Sequence, residues 1–184
     1  MEEFLKEGNQ TKITNEIKEI VKAIEGEDFE FVVKALRWLN KNIRNKLPEG
    51  VEKNVVFRKR TAADVIRDGY ASGCTDFALV LIAIARTKGI PTKYVEVISK
   101  DYFEDNDLSK VRGHVFAECF LKGEWFGVDP MGGTLKFNTT YPKYVVYARG
   151  LDSWDLGITN ITSIQDKFSV FAKEYNSKDK PEVL

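Results

Sequence analysis

At 184 residues the chain has the length of one domain with a full hydrophobic core. Its 28 basic and 28 acidic side chains cancel, which gives no reason to expect a nucleic-acid or anionic-membrane partner. The longest apolar run, Phe77 to Ala85, falls far short of the roughly 20 residues needed to cross a bilayer.

The start, Met1-Glu2-Glu3-Phe4-Leu5-Lys6, shows neither the basic leader nor the apolar stretch of a secretory signal. With only Cys74 and Cys119 available there is no disulfide framework, and the expected compartment is the reducing cytoplasm. Residues 1–12 are polar and expected to be flexible. Thr14 reads as the N-cap of a helix carrying Ile17, Ile20, Val21 and Ile24 on one face, closed by Gly26. Asp28 opens a longer helix in which Phe31, Val32, Ala35, Leu36, Leu39 and Ile43 recur at three- and four-residue steps. A short apolar piece, Val55-Val56-Phe57, follows. Thr61, with Asp64 three residues on, has the pattern of a capping box opening a short helix that Gly69 ends.

Gly69 to Gly73 reads as a flexible link. Cys74 to Lys88 is almost entirely apolar and is stopped by Gly89 and Pro91, as befits a helix buried on most sides with Cys74 at its N-terminus. From Thr92 the period changes to two. Tyr94 to Ile98 and Val115 to Leu121 read as strands, Lys122-Gly123-Glu124 as a turn, and Trp125 to Val128 as the returning arm of a hairpin. The acidic stretch Asp101 to Asp107 between the strands reads as a solvated loop. It lacks the glycine and closing glutamate of a calcium loop. A further strand covers Tyr144 to Ala148, and a last helix runs from Ser163 to Tyr175. Helices followed by an antiparallel sheet make an α+β fold, as one domain over 1–184 with its core at about 55–135 and a flexible tail from 176.

Acyl transfer needs a nucleophile, a base to activate it and a group to orient the base. The sequence holds a single histidine, so only one such set can be drawn: Cys74, His114 and Asp129. The helix dipole favours a thiolate at an N-terminal cysteine. Gly73 leaves room for substrate, and the Cys74 backbone N–H, opening the helix, is free to stabilise an oxyanion. Asp76 would oppose a thiolate that it faced, but its position two residues on directs it elsewhere. His114 begins one hairpin arm and Asp129 ends the other, so antiparallel pairing brings them side by side. Singly, each residue has an ordinary structural explanation: a small core thiol, a hydrogen-bonded imidazole, an aspartate holding a turn. Their order and placement together favour the chemical reading. One histidine and two cysteines exclude a four-ligand zinc site of the usual kind, and no metal or cofactor is expected.

Four blocks carry a resemblance: Ser72-Gly73-Cys74-Thr75-Asp76-Phe77-Ala78, Ala85-Arg86 through Gly89-Ile90-Pro91, Gly113-His114-Val115-Phe116, and Trp125-Phe126-Gly127-Val128-Asp129-Pro130. In this order they resemble the core of the transglutaminase-like superfamily. The resemblance implies a papain-related fold with the cysteine on a helix and the histidine and aspartate on neighbouring strands. It implies Cys74 as nucleophile, His114 as general base and acid, and Asp129 as the orienting carboxylate. Gly73, Gly113 and Tyr70 are the candidate substrate-binding residues.

The chain departs from the larger relatives. It has neither the length nor the ligands for the extra domains and calcium sites of animal transglutaminases, and it lacks the Cys-x-x-Cys zinc element of peptide N-glycanases. Trp38 and Trp154 read as core anchors, Cys119 as filler, and the second oxyanion donor is unassigned. The expected function is thioester-forming acyl transfer on a protein, peptide or small amide substrate, with water slightly favoured over an amine as acceptor. Two rivals stand beside it. One is arylamine N-acetyltransferase chemistry, for which no acyl-CoA pocket is visible. The other is an idle fold that binds peptides between walls such as Tyr70, Tyr102 and Phe103. The sequence leaves the oligomeric state open.

Overall fold

The computed structural model describes residues 1–105 and 112–177. A 3-10 turn at Glu2–Leu5 precedes α1 (Asn15–Ala23), α2 (Asp28–Asn42), the one-turn α3 (Lys53–Val56), α4 (Ala62–Asp68) and α5 (Cys74–Thr87). The second half supplies β1 (Thr92–Ser99), α6 (Lys100–Asp105), β2 (Gly113–Leu121), β3 (Glu124–Asp129), β4 (Thr134–Leu135), β5 (Tyr144–Gly150) and α7 (Ile161–Ser177). The fold is α+β, with the early helices packed on an antiparallel sheet. No helix among the described residues is long and apolar enough to cross a membrane.

The helix starts follow from their sequence. Thr14 Oγ1 accepts the Ile17 N–H (3.4 Å) and opens α1. Thr61 and Asp64 form a reciprocal capping box at the head of α4, and Gly69, left-handed at φ +69°, closes that helix. Every residue of α5 from Thr75 to Arg86 is buried, which is why its sequence lacks a polar stripe. One flank of α5 meets Phe31, Ala35 and Leu39 of α2, and another meets Tyr94 of β1 and Val115, Ala117 and Cys119 of β2. Each fully buried aliphatic side chain here contributes about 1.5–3 kcal/mol of transfer free energy, and α5 concentrates that contribution in one rod.

The sheet runs in the order β4-β3-β2-β1-β5 with every neighbour antiparallel. Alternation along β2 sends Val115, Ala117 and Cys119 towards α5, while Phe116 joins Val95, Val97 and Tyr141 on the opposite face. Both faces of the central strands are therefore covered, which explains why β1 is buried along almost its whole length. Burial pushes the Cys119 thiol up to about 12, so it is inert filler.

Several local expectations change. The leading residues are not all loose, because Gln10 and Thr11 are fully buried. The Gln10 N–H donates to Asp152 Oδ2 (2.7 Å) and its side-chain amide donates to the Arg60 carbonyl (2.9 Å). That polar segment is satisfied by distant backbone and a buried carboxylate, which no local pattern announces. Val55 and Val56, in the short apolar piece left without an assigned element, end a helical turn. The acidic stretch begins as α6, held by Tyr102 packing beside Ile98 and Phe168; its remainder, 106–107, and the tail from 178 lie outside the described residues. The two-residue strand β4 had no sequence signal long enough to read.

Candidate active site

Cys74 is the first residue of α5, and the chain reaches it through a braced turn rather than a free link. The Arg44 N–H donates to the Gly69 carbonyl (3.0 Å), and the Ala71 N–H donates to the Arg44 carbonyl (2.9 Å), tying residues 69–71 to the end of α2. The Ser72 N–H and hydroxyl both donate to Asp76 Oδ2, at 2.6 and 2.7 Å. Arg60, itself buried, pairs with the same carboxylate. The sequence expectation that Asp76 turns away from the sulfur is met, with its partners now named. Gly73 takes φ +155°, a backbone conformation essentially reserved for glycine, and a Cβ there would meet nothing within 4 Å.

His114 and Asp129 come together at the open end of the β2–β3 hairpin. Register pairs Ala117 with Val128, which sets Asp129 diagonal to His114 one step beyond the last pair. His114 Nε2 lies 3.1 Å from Asp129 Oδ2, with 13% and 21% of the two side chains exposed. This leaves Nδ1 as the ring nitrogen available to the Cys74 sulfur. The imidazole plane is held by Phe116 edge-on at 4.7 Å and Tyr144 stacked at 6.2 Å. Asp129 is oriented in turn by the Gly132 N–H, which donates to Oδ1 (2.9 Å).

Burial works against a charged imidazole here, but the hydrogen bonds to Asp129 and to Cys74 outweigh it and hold His114 up at about 9. Burial likewise opposes the charged form of Asp129, yet the bond from His114, the Gly132 N–H and the charge of Lys136 keep its carboxyl below the usual range. Both shifts favour an imidazolium beside a carboxylate.

Cys74 and His114 line a partly open cleft of about 280 Å³ together with Gly73 and Gly113. Gly73 and Gly113 are thus part of the cleft wall. Tyr70 is not in its lining; its ring lies against the Arg60 guanidinium at 4.4 Å. Tyr102 belongs to the cluster around Phe168, and Phe103 has no described side chain. A wider hollow of about 530 Å³ along α7 is lined by neither thiol nor imidazole. Trp38 packs against the core as expected, and Trp154 donates its indole N–H to the Arg58 carbonyl (2.7 Å).

The cleft also has a wall that the sequence reading missed. Glu96 is fully covered and accepts from Arg58 Nη2 (3.0 Å), the Tyr94 hydroxyl (2.7 Å) and the Tyr147 hydroxyl (3.0 Å). Arg58 also donates to Ser153 Oγ (2.7 Å). The one available signal was parity: Glu96 shares the inward face of β1 with Tyr94 and Ile98, where a lone charge needs a partner. Among the described residues no group of three or more His, Cys, Asp or Glu side chains is placed to hold a metal ion.

A thiol at a helix start, facing a histidine–aspartate pair across an α+β core, is the layout of papain-like proteins. The sequence model of the transglutaminase-like superfamily matches residues 16–130, and the chain belongs to that superfamily. No curated protein matches it. Among solved structures, a provisionally named cysteine protease from Cytophaga hutchinsonii superposes with a TM-score of 0.61 at 19% identity, over 84% of this chain and 48% of that one. The chain thus spans about half the length of that relative. Legionella pneumophila LapG superposes with a TM-score of 0.50 at 13% identity, over 94% of both chains. At these identities the likeness is one of fold.

Proposed function

We propose that the protein is a thiol-dependent acyl-transfer enzyme acting on amide bonds through Cys74, His114 and Asp129. The observation that carries this reading is the His114 imidazole, bonded to Asp129 at 3.1 Å on one side and interacting with the Cys74 sulfur on the other, at the wall of a partly open cleft. Membership of the superfamily supports a thiol enzyme in general.

In the proposed reaction the Cys74 thiolate, its proton held on His114, bonds to the amide carbonyl carbon, and the carbonyl oxygen becomes an oxyanion facing the Cys74 backbone N–H. The C–N bond then breaks as the His114 imidazolium gives its proton to the departing amine, leaving a thioester. Water enters, loses a proton to His114 and bonds to the same carbon. The C–S bond breaks, the carboxylic acid leaves, and the sulfur regains its partner imidazolium. An amine in place of water would give transfer by the same steps. Asp129 holds the ring and its charge throughout.

A library of peptides and activated esters tests this, with thioester trapping by mass spectrometry. Wild-type protein accumulates an acyl adduct on Cys74, and Cys74→Ala abolishes turnover while keeping the fold. A folded wild-type protein that forms no adduct, and whose Cys74 alkylates no faster than free cysteine, sinks the enzyme reading in favour of a binding module. Acetylation from acetyl-CoA alone would redirect the assignment to the N-acetyltransferase class.

A further inference from the structure

The two short helix starts at the heart of the molecule are capped in opposite ways. At α4 the cap residue Thr61 accepts the Asp64 N–H and Asp64 returns the bond to the Thr61 N–H, the full reciprocal box. At α5 the cap residue is Gly73, which has no side chain, and Asp76 stands at the third helical position that Asp64 holds in α4. Asp76 reaches one residue further back, and its Oδ2 takes both the N–H and the hydroxyl of Ser72. The carboxylate half of the box is shifted back by one residue, onto Ser72, and the side-chain half is missing.

The missing half has a chemical consequence. A serine or threonine at 73 would spend its oxygen on the backbone N–H groups of the first turn and stand between them and the cleft. With glycine there those groups stay open, but the turn loses its brace, and glycine at φ +155° is the least constrained backbone available. Asp76 restores the brace from behind. It is fully buried two residues from the nucleophile, and a bare carboxylate there would be expensive and would repel a thiolate. Arg60, 8% exposed at its side chain, pairs with it and lies over the Tyr70 ring at 4.4 Å.

We propose that Asp76, charge-balanced by Arg60, is the positioning residue that fixes the Ser72–Gly73 turn so that the Cys74 N–H and sulfur face the cleft together. This rests on the reading of Cys74 as the nucleophile. Buried ion pairs often add little stability over apolar residues of similar volume; the role assigned to this one is to set a backbone angle without consuming the first-turn N–H groups.

The test is kinetic, on the full chain with an activated ester, alongside a thermal melt. Asp76→Asn keeps the side-chain shape but loses the charge opposite Arg60. The expected result is a kcat at least tenfold lower with KM within about twofold, because a displaced nucleophile costs rate more than affinity. Ser72→Ala, which removes one of the bonds to Oδ2, lowers kcat severalfold, and Ser72→Thr, which keeps the hydroxyl, restores it. Undiminished kcat in folded Asp76→Asn overturns the proposal. If Asp76→Asn does not fold, undiminished kcat in Ser72→Ala overturns it instead, as does a Thr variant that fails to recover. A wild-type protein without turnover, whose Cys74 reacts with iodoacetamide no faster than free cysteine, defeats the enzyme reading itself, and the positioning role falls with it.

Discussion

His114 Nε2 meets Asp129 Oδ2 at 3.1 Å across the open end of one hairpin, and this contact decides the charge state of the cleft. A histidine buried to this extent with no anion beside it would shed its proton below neutrality. With Asp129 and Cys74 as partners it keeps the proton up to about 9.

The pH dependence follows with a definite sign. A group whose folded pKa is raised gives stability that is fully present below its unfolded value near 6.5 and is lost as pH rises through the folded value of about 9. The cleft is partly open to solvent, so the loss is about 1–2 kcal/mol after screening. Urea titrations at a series of pH values should show that decline in the wild type and not in His114→Ala. Amide turnover should fall above about 9 as well, since the imidazolium that protonates the leaving amine disappears.

Asp129→Asn preserves the size of the side chain and removes the charge that stabilises the imidazolium. Turnover should drop by up to about 10⁴-fold, the loss known for neutralising the orienting carboxylate of a comparable triad. Steady-state kinetics on the best ester substrate measures it. A decrease smaller than twofold would remove Asp129 from the proposed machinery.

Gly73→Ala separates backbone strain from crowding, because the added Cβ has open space but the residue must hold φ +155°. The cost should be about 1–3 kcal/mol, or roughly 3–10 °C in Tm for a chain of this size. A melting temperature equal to that of the wild type would show that the turn relaxes to an ordinary conformation.

Arg86 concerns the leading segment. Buried at the end of α5, it donates to the carbonyls of Phe4 (3.0 Å), Thr92 (2.6 Å) and Leu151 (3.0 Å) and to Thr11 Oγ1 (2.9 Å). Burial pulls its pKa down to about 10 against the attraction of Asp152 and Asp155. Arg86→Met should cost about 3 kcal/mol or more, since several buried acceptors lose their donor together. Hydrogen exchange should speed up at Gln10 and Thr11 before it does in β2. Unchanged protection there would mean that Asp152 and the Arg60 carbonyl hold the segment without Arg86.

Most elements were legible because their information is local. The step of three and four in α2, the alternation in β1 and β2, and the Thr61–Asp64 box each act over a few residues. Tyr70 was misjudged because nearness in sequence to Cys74 says nothing of direction, and its ring turns to Arg60 instead of the cleft. Arg58 and Glu96 were missed because their partner is 38 positions away and each looks ordinary alone.

By itself the sequence determined the longer helices and the main strands, that Cys74 heads a buried helix, and that a hairpin brings His114 and Asp129 to one end. These follow from side-chain periodicity, capping and strand pairing, whose range is a turn or a hairpin. Only the tertiary structure decided that the head of α5 docks at that end of the sheet. That choice rests on burying α5 simultaneously against α2 and β2, a long-range packing solution. The same packing placed Asp76, Arg60 and Glu96 behind the cleft, where charges survive only because folding supplies partners from distant parts of the chain.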